Sequence, residues 1–163
     1  MESITEQIIL DALKEIPDPE IPVISIVDLG VIRSIHILPL GVEVVITPTY
    51  SGCPAMKQME DDIVSTLKKM GVKEVYIKTV YTPAWTTDWL SADAKERLRE
   101  YGIAPPQEST TDKSFITGKT KQIKCPRCGS LHTEMVSQFG STACKALYKC
   151  KDCLEPFDYF KCI

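Results

Sequence analysis

Residues 31–54 read VIRSIHILPLGVEVVITPTYSGCP. Two β-branched runs, Val31 to Leu38 and Val42 to Thr47, flank Pro39-Leu40-Gly41, which by length and turn chemistry makes a hairpin. A helix begins at Pro54, where a missing backbone N–H costs nothing. Its stripe of Met56, Met59, Ile63, Leu67 and Met70 ends at Gly71, the residue suited to a left-handed cap. Val72 to Tyr81 then reads as a third strand. A hairpin followed by a helix and a further strand specifies a mixed sheet with helices packed on it.

Working outward toward the N-terminus, Ser3 and Glu6 stand in capping-box register, and Ile4, Ile8, Ile9, Leu13 and Ile16 share one helical face. That helix stops before Pro17-Asp18-Pro19-Glu20-Ile21-Pro22, whose three prolines remove donors and force extended neighbours; the segment is an ordered loop or a solvent-facing arm. Past the third strand, Trp85 to Trp89 is a loop in which the two tryptophans serve as anchors, and a helix runs from about Ser91 to Tyr101. The order α-β-β-α-β-α predicts an α+β domain over residues 1–104. Between 105 and 121 the composition shifts to Pro, Ser, Thr, Gly and Lys, with Phe115 and Ile116 as apolar anchors, and this is a linker. Residues 122–163 form a β-rich module with short strands near Glu134 to Phe139, Ala146 to Lys149 and Phe157 to Phe160.

That module carries Cys125-Pro126-Arg127-Cys128 and Cys150-Lys151-Asp152-Cys153, with twenty-one residues between them. Two Cys-x-x-Cys turns converge four thiolates on one tetrahedral metal, so Cys125, Cys128, Cys150 and Cys153 are candidate ligands and zinc the expected ion. A closed four-thiolate set leaves no position for water, which makes the zinc structural. Two disulfides, or a rubredoxin-like iron centre, are the competing readings. The first knuckle resembles rubredoxin's, but Leu154 stands where rubredoxins have Gly, which counts against an electron carrier. Cys144 and Cys162 are then small buried hydrophobes, His36 is a surface or satisfied side chain, and His132 is the one residue that could replace a knuckle cysteine as a ligand.

The chain has 44% hydrophobic and 25% charged residues, which excludes disordered and fibrous classes. No uncharged run is long enough to cross a bilayer, and Met1-Glu2-Ser3-Ile4 does not open a signal peptide, so the seven cysteines are expected in a reducing cytoplasm. Residues 119–163 carry eight Lys/Arg against four Asp/Glu. One divalent metal on four thiolates cancels about half of that excess, too little to argue for nucleic-acid binding.

Cys53 lies in Thr47-Pro48-Thr49-Tyr50-Ser51-Gly52-Cys53-Pro54, between a strand and the mouth of a helix. Free amide donors and the positive helix end there favour an anionic sulfur. The residue is a reactive or metal-contacting thiol or, alternatively, a buried packing residue. Asp18 and Glu20 are the nearest hard partners for a transient iron, although Asp-Pro-Glu also makes an ordinary turn.

Asp18-Pro19-Glu20-Ile21-Pro22, Val27-Asp28-Leu29-Gly30 and Gly52-Cys53-Pro54-Ala55-Met56 resemble the iron-sulfur assembly family that includes SufT. Cys125 to Gly129, Phe139 to Tyr148 and Glu155 to Cys162 look like the PaaD family, encoded with phenylacetyl-CoA epoxidase. The resemblance implies a non-catalytic cytoplasmic accessory protein of aerobic phenylacetate degradation. It would help to mature the epoxidase, acting on the iron-sulfur cluster of its reductase component. Cys53 would be its reactive cysteine, Asp18 and Glu20 its acidic loop, and iron or a cluster its transient cargo. The implied partners are the epoxidase subunits, the iron-sulfur assembly machinery and a second copy of the chain, with neither nucleic acid nor membrane. Transfer suits an exposed site with incomplete protein ligation. The alternative is a rubredoxin-like electron-transfer or structural subunit of the same oxygenase.

Overall fold

The computed structural model describes residues 4–107 and 122–161. The chain divides into two compact units, Met1–Ser91 and Ala92–Ile163.

In the first unit, helix α1 (Glu6–Leu13) starts from Thr5, whose Oγ1 accepts a hydrogen bond from Ile8 N at 3.2 Å. The cap is therefore Thr5; Ser3 lies outside the described residues. Ile9 and Leu13 are completely buried, whereas Ile8 turns outward at 39% exposure. The proline-rich segment that follows is a packed loop. Asp18 N donates to Ile24 O at 2.8 Å and Ile26 N to Ile16 O at 3.0 Å, closing the loop on itself. Pro17, Pro19 and Pro22 face solvent while Ile21, Ile24, Ile26 and Leu29 are buried, so the prolines stiffen a segment whose isoleucines hold it to the core.

Strands β1 (Ile32–Leu38) and β2 (Gly41–Ile46) pair antiparallel with Leu38 opposite Gly41, leaving Pro39-Leu40 as the turn. Helix α2 (Ala55–Lys69) carries the chain to β3 (Glu74–Thr79), which pairs parallel with β2 in the order β1-β2-β3. As the central strand, β2 buries Val42, Val44, Val45 and Ile46, which is why its sequence is a near-continuous apolar run without strict alternation. Gly41 faces Glu74 so closely that a Cβ would lie 2.0 Å from the Glu74 carbonyl oxygen. Helix α2 buries Ala55, Met59, Ile63 and Leu67, each of the larger side chains contributing about 1.5–3 kcal/mol. Gly71 ends it with φ +89°. Trp85 is buried and its Nε1 donates to Leu29 O at 2.8 Å, while the Arg33 guanidinium lies 3.9 Å from the Trp89 ring centre. Both tryptophans thus anchor their loop.

The second unit comprises helix α3 (Ala92–Tyr101) and strands β4 (Ile103–Ala104), β5 (Thr133–Ser137), β6 (Lys145–Cys150) and β7 (Pro156–Phe160), in the sheet order β4-β7-β6-β5. β4 runs parallel to β7, with Ile103 opposite Asp158 and Ala104 opposite Tyr159. This pairing draws α3 and β4 to the C-terminal sheet, so the units divide between Ser91 and Ala92, earlier than the expected boundary at 104. Residues 108–121, most of the expected linker with Phe115 and Ile116, lie outside the described residues. The core of this unit gathers Ile123, Ala146, Tyr148, Phe157 and Tyr159 around Cys125 and Cys150. The Tyr148 ring stacks on Phe157 at 5.9 Å and meets the edge of Tyr159 at 5.7 Å. No helix among the described residues is long and apolar enough to cross a membrane.

Candidate metal centre and a separate helix-entrance cysteine

The two knuckles are folded alike. Cys125 N donates to Ser130 O at 2.8 Å and Cys150 N to Glu155 O at 3.0 Å, the same five-residue step in each turn. Gly129 and Leu154, each following the second cysteine of its knuckle, both have left-handed backbones, with φ 76° and 65°. Leu154 adopts this conformation against the steric cost of its Cβ and is 66% exposed. We expect Leu154→Gly to raise the stability of the metal-loaded ribbon by about 1 kcal/mol in thermal or urea unfolding. A lower midpoint would mean that the exposed leucine makes a contact worth more than its strain.

These turns bring the four sulfurs to within 4.8 Å of one another. Cys125 Sγ lies 3.7 Å from Cys153 Sγ, and Cys128 Sγ 3.5 Å from Cys150 Sγ, both across the knuckles. These separations are far longer than a disulfide bond, and all four cysteines are free. They match the edge of a tetrahedron with metal–sulfur bonds of about 2.3 Å, which is about 3.8 Å. The donor set therefore fits a tetrahedral thiophilic ion, and the two-disulfide reading is overturned.

Proximity without a cation is costly for these thiols. The Cys153 and Asp152 amides, outweighing burial, bring Cys150 down to about 7. Although the Glu155 amide favours the Cys153 thiolate, burial and the neighbouring sulfurs push Cys153 up to about 12. Cys128 is also raised: the Ser130 amide acts against the shift, but burial and contact with Cys150 prevail. A divalent ion removes this mutual repulsion and expels the remaining protons.

The knuckles are also tied to each other by side chains, of which the sequence pointed to His132 but not to Ser130 or Asp152. Ser130 Oγ donates to Asp152 Oδ2, His132 Nδ1 lies 3.1 Å from Asp152 Oδ1, and His132 N donates to Ser130 Oγ at 2.9 Å. Hydrogen bonds from Ser130 and His132 hold the Asp152 carboxyl below its usual range. Ser130 and Asp152 are 22 residues apart, and only the folded hairpin makes them neighbours. Cys144 is buried against Thr142 Oγ1 at 3.1 Å and is no part of the sulfur cluster. Cys162 lies outside the described residues. His36 is exposed, with Nε2 3.0 Å from Ser34 Oγ.

Cys53 stands apart in the first unit. β2 delivers the chain to it, Cys53 N donates to Tyr50 O at 3.3 Å, and Cys53 O accepts from Met56 N at 3.2 Å in the first turn of α2. The N-cap, Pro54, supplies no side-chain hydrogen bond, and the first turn carries no acidic residue, so the amide end of the helix is uncompensated. Gly52, with φ 78° and open space around a hypothetical Cβ, shapes the turn before it. The cysteine is nonetheless only 8% exposed, so the expected exposed site is in fact covered. At the end of β2, Thr47 Oγ1 is buried with no hydrogen-bond partner among the described residues, a further polar group that the sequence did not signal.

Asp18 and Glu20 do not join Cys53 in a ligand set. Among the described residues the four knuckle cysteines are the only group of three or more candidate ligands with donor atoms within 4.8 Å. Asp18 is 4% exposed, and its Oδ1 accepts from Glu20 N at 2.9 Å and Ile21 N at 2.6 Å. The carboxylate thus shapes the proline loop as an Asx turn, satisfying two amides that prolines on either side cannot pair.

A family model described as iron-sulfur cluster assembly protein matches residues 6–78, and one described as PaaD zinc beta ribbon domain matches residues 109–161. The chain is 50% identical over 151 residues, 93% of its length and 89% of the relative's, to a putative 1,2-phenylacetyl-CoA epoxidase subunit of Escherichia coli strain K12. It is 32% identical to the Fe-S protein maturation auxiliary factor YitW of Bacillus subtilis, covering 60% of this chain and 97% of that one. The crystal structure of a domain of unknown function, DUF59, from Bacillus anthracis covers 57% of this chain and 90% of its own, with a TM-score of 0.54 and 27% identity. These relatives support an accessory role in iron-sulfur assembly, and the sulfur cluster a capacity to bind metal. An assembly-type α+β unit followed by a four-cysteine ribbon, with identity across both, makes the chain a member of the PaaD family.

Proposed function

We propose that the chain is a non-catalytic maturation factor for a multicomponent phenylacetyl-CoA epoxidase, acting in the cytoplasm on the iron-sulfur reductase component. The observation that carries this reading is the separation of the two kinds of sulfur. Four cysteines form a closed set that fits a structural ion, and Cys53, in the other compact unit, sits alone at an uncapped helix entrance. In the ribbon, Cys125, Cys128, Cys150 and Cys153 would hold zinc, which supplies cross-linking and no open coordination position. Cys53 would handle iron or a cluster as cargo, with the proline loop of Asp18 and Glu20 as support. One protein sulfur is an incomplete ligand set that a recipient can outcompete. Because Cys53 is covered, loading requires residues 48–54 to open; Gly52 and the exposed Ser51 make that turn the point of least resistance. The ribbon would dock the recipient.

Cys53→Ser separates fold from function, since Ser keeps a small polar group at the helix start and loses the soft sulfur. We expect the variant to melt like the wild type and to retain one zinc per chain. Co-expressed with the epoxidase in a strain lacking the native protein, it should fail to restore cluster content in the reductase. Full cluster occupancy with the variant would make Cys53 a packing residue and the protein a docking component alone.

One observation keeps an electron-carrier reading in play. Leu154 has the left-handed backbone that Gly adopts most readily, so a leucine at this position does not itself count against the electron carrier. The colour of protein purified in air decides between the two cheaply, because four thiolates around ferric iron are red and around zinc colourless.

A further inference from the structure

Beside the first knuckle the second unit carries a cleft of about 390 Å³, within the range of ligand-binding cavities. Arg99 from α3 and Lys124 and Arg127 from either side of Cys125 line it, together with Pro105, Pro106 and Pro126, and no carboxylate among the described residues does. Arg99 is paired with Glu96 one turn away on α3. Lys124 and Arg127 are exposed and make no ion pair with any described residue. The Lys124 Cε is 3.5 Å from the place a Cβ on Gly129 would take, and Arg127 Nη2 is 3.7 Å from the corresponding point on Gly102. A Cβ at either glycine would meet the cation beside it at ordinary van der Waals distance. Among the described residues, two cations without an ion-pair partner on a cleft lined by three prolines form a surface without counter-charge.

We propose that this cleft is the recognition site for an acidic peptide segment of a partner protein, its carboxylates meeting Lys124 and Arg127 and its apolar side chains lying on the prolines. A compact phosphate would call for convergent donors held in place, whereas Lys124 and Arg127 are exposed side chains on a cleft that also offers three prolines, a surface suited to an extended segment that carries both carboxylates and apolar side chains. The inference rests on the docking role given to the ribbon above and names the chemistry of what it docks. It is independent of Cys53: peptide binding by purified protein can fail while cluster delivery stands, and the reverse.

The test is fluorescence anisotropy with the full zinc-loaded chain and a labelled peptide, Asp-Glu-Leu-Asp-Glu-Leu-Gly, beside its Asn/Gln counterpart. We expect the acidic peptide to bind and the neutral one to bind at least about tenfold more weakly, with affinity falling as salt rises. Lys124→Glu/Arg127→Glu should abolish binding while zinc content and melting are retained, and Lys149→Glu, an exposed site on β6, should leave it intact. If the double variant loses zinc, Arg99→Gln, on a helix outside the knuckles, should weaken binding by itself. Equal affinity for both peptides, unchanged binding by Arg99→Gln and the double variant, or displacement of the peptide by inorganic phosphate at equal concentration would overturn the proposal, the last in favour of a small-anion site.

Discussion

Chelation of the metal is expected to unfold the second unit while the amides of β1, β2 and β3 stay protected from hydrogen exchange. Cys125 and Cys150 belong to the same buried cluster as Tyr148, Phe157 and Tyr159, so an ion held by them would cross-link the core itself. A structural zinc contributes on the order of 10 kcal/mol of folding free energy at neutral pH, more than so small a core can replace. The loss should reach back to Ile103 and Ala104, because β4 is held in its sheet by β7 alone. Metal binding should also release protons, since burial and the adjacent sulfurs keep Cys153 up at about 12 until a cation arrives. Acid should therefore favour metal loss. Exchange protection persisting across Lys145–Phe160 after complete metal removal would show that the core folds without the ion.

Gly41→Ala should destabilise the first unit by about 3 kcal/mol, the upper end of overpacking penalties. The added methyl would sit 2.0 Å from the Glu74 carbonyl oxygen, and that obstacle is backbone, which cannot rotate away. Relief requires β3 to move from β2 where their parallel pairing begins. Gly71→Ala is the matched comparison: its Cβ would meet nothing within 4 Å, so only the left-handed φ of +89° opposes it, at about 1 kcal/mol. Urea unfolding of the two variants should rank Gly41→Ala as the more damaging. Equal losses would mean that the β2–β3 approach is looser than the structure places it.

Much of this was legible in the chain because the signals are local. The hairpin at Pro39-Leu40, the α2 stripe with its Gly71 cap and the twin Cys-x-x-Cys turns each depend on residues within a few positions of one another. Short-range backbone sterics and side-chain periodicity suffice to specify them. The four-sulfur centre needed one further assumption, that a β-hairpin closes the twenty-one residues between knuckles, and β5 and β6 provide it.

What the residues by themselves determined, then, was the α+β class, the ribbon with its four converging cysteines, and the isolation of Cys53 from that set. Tertiary structure decided where the units divide, because a two-residue strand such as β4 has no periodicity and exists only through its pairing with β7. It gave Asp18 to the loop backbone, since an Asp-Pro-Glu sequence serves a turn or a metal equally well until its amide partners are fixed. It covered Cys53, and it assembled the Arg99, Lys124 and Arg127 cleft from two segments of chain. Burial and charge convergence are sums over residues remote in sequence, and no local pattern encodes them.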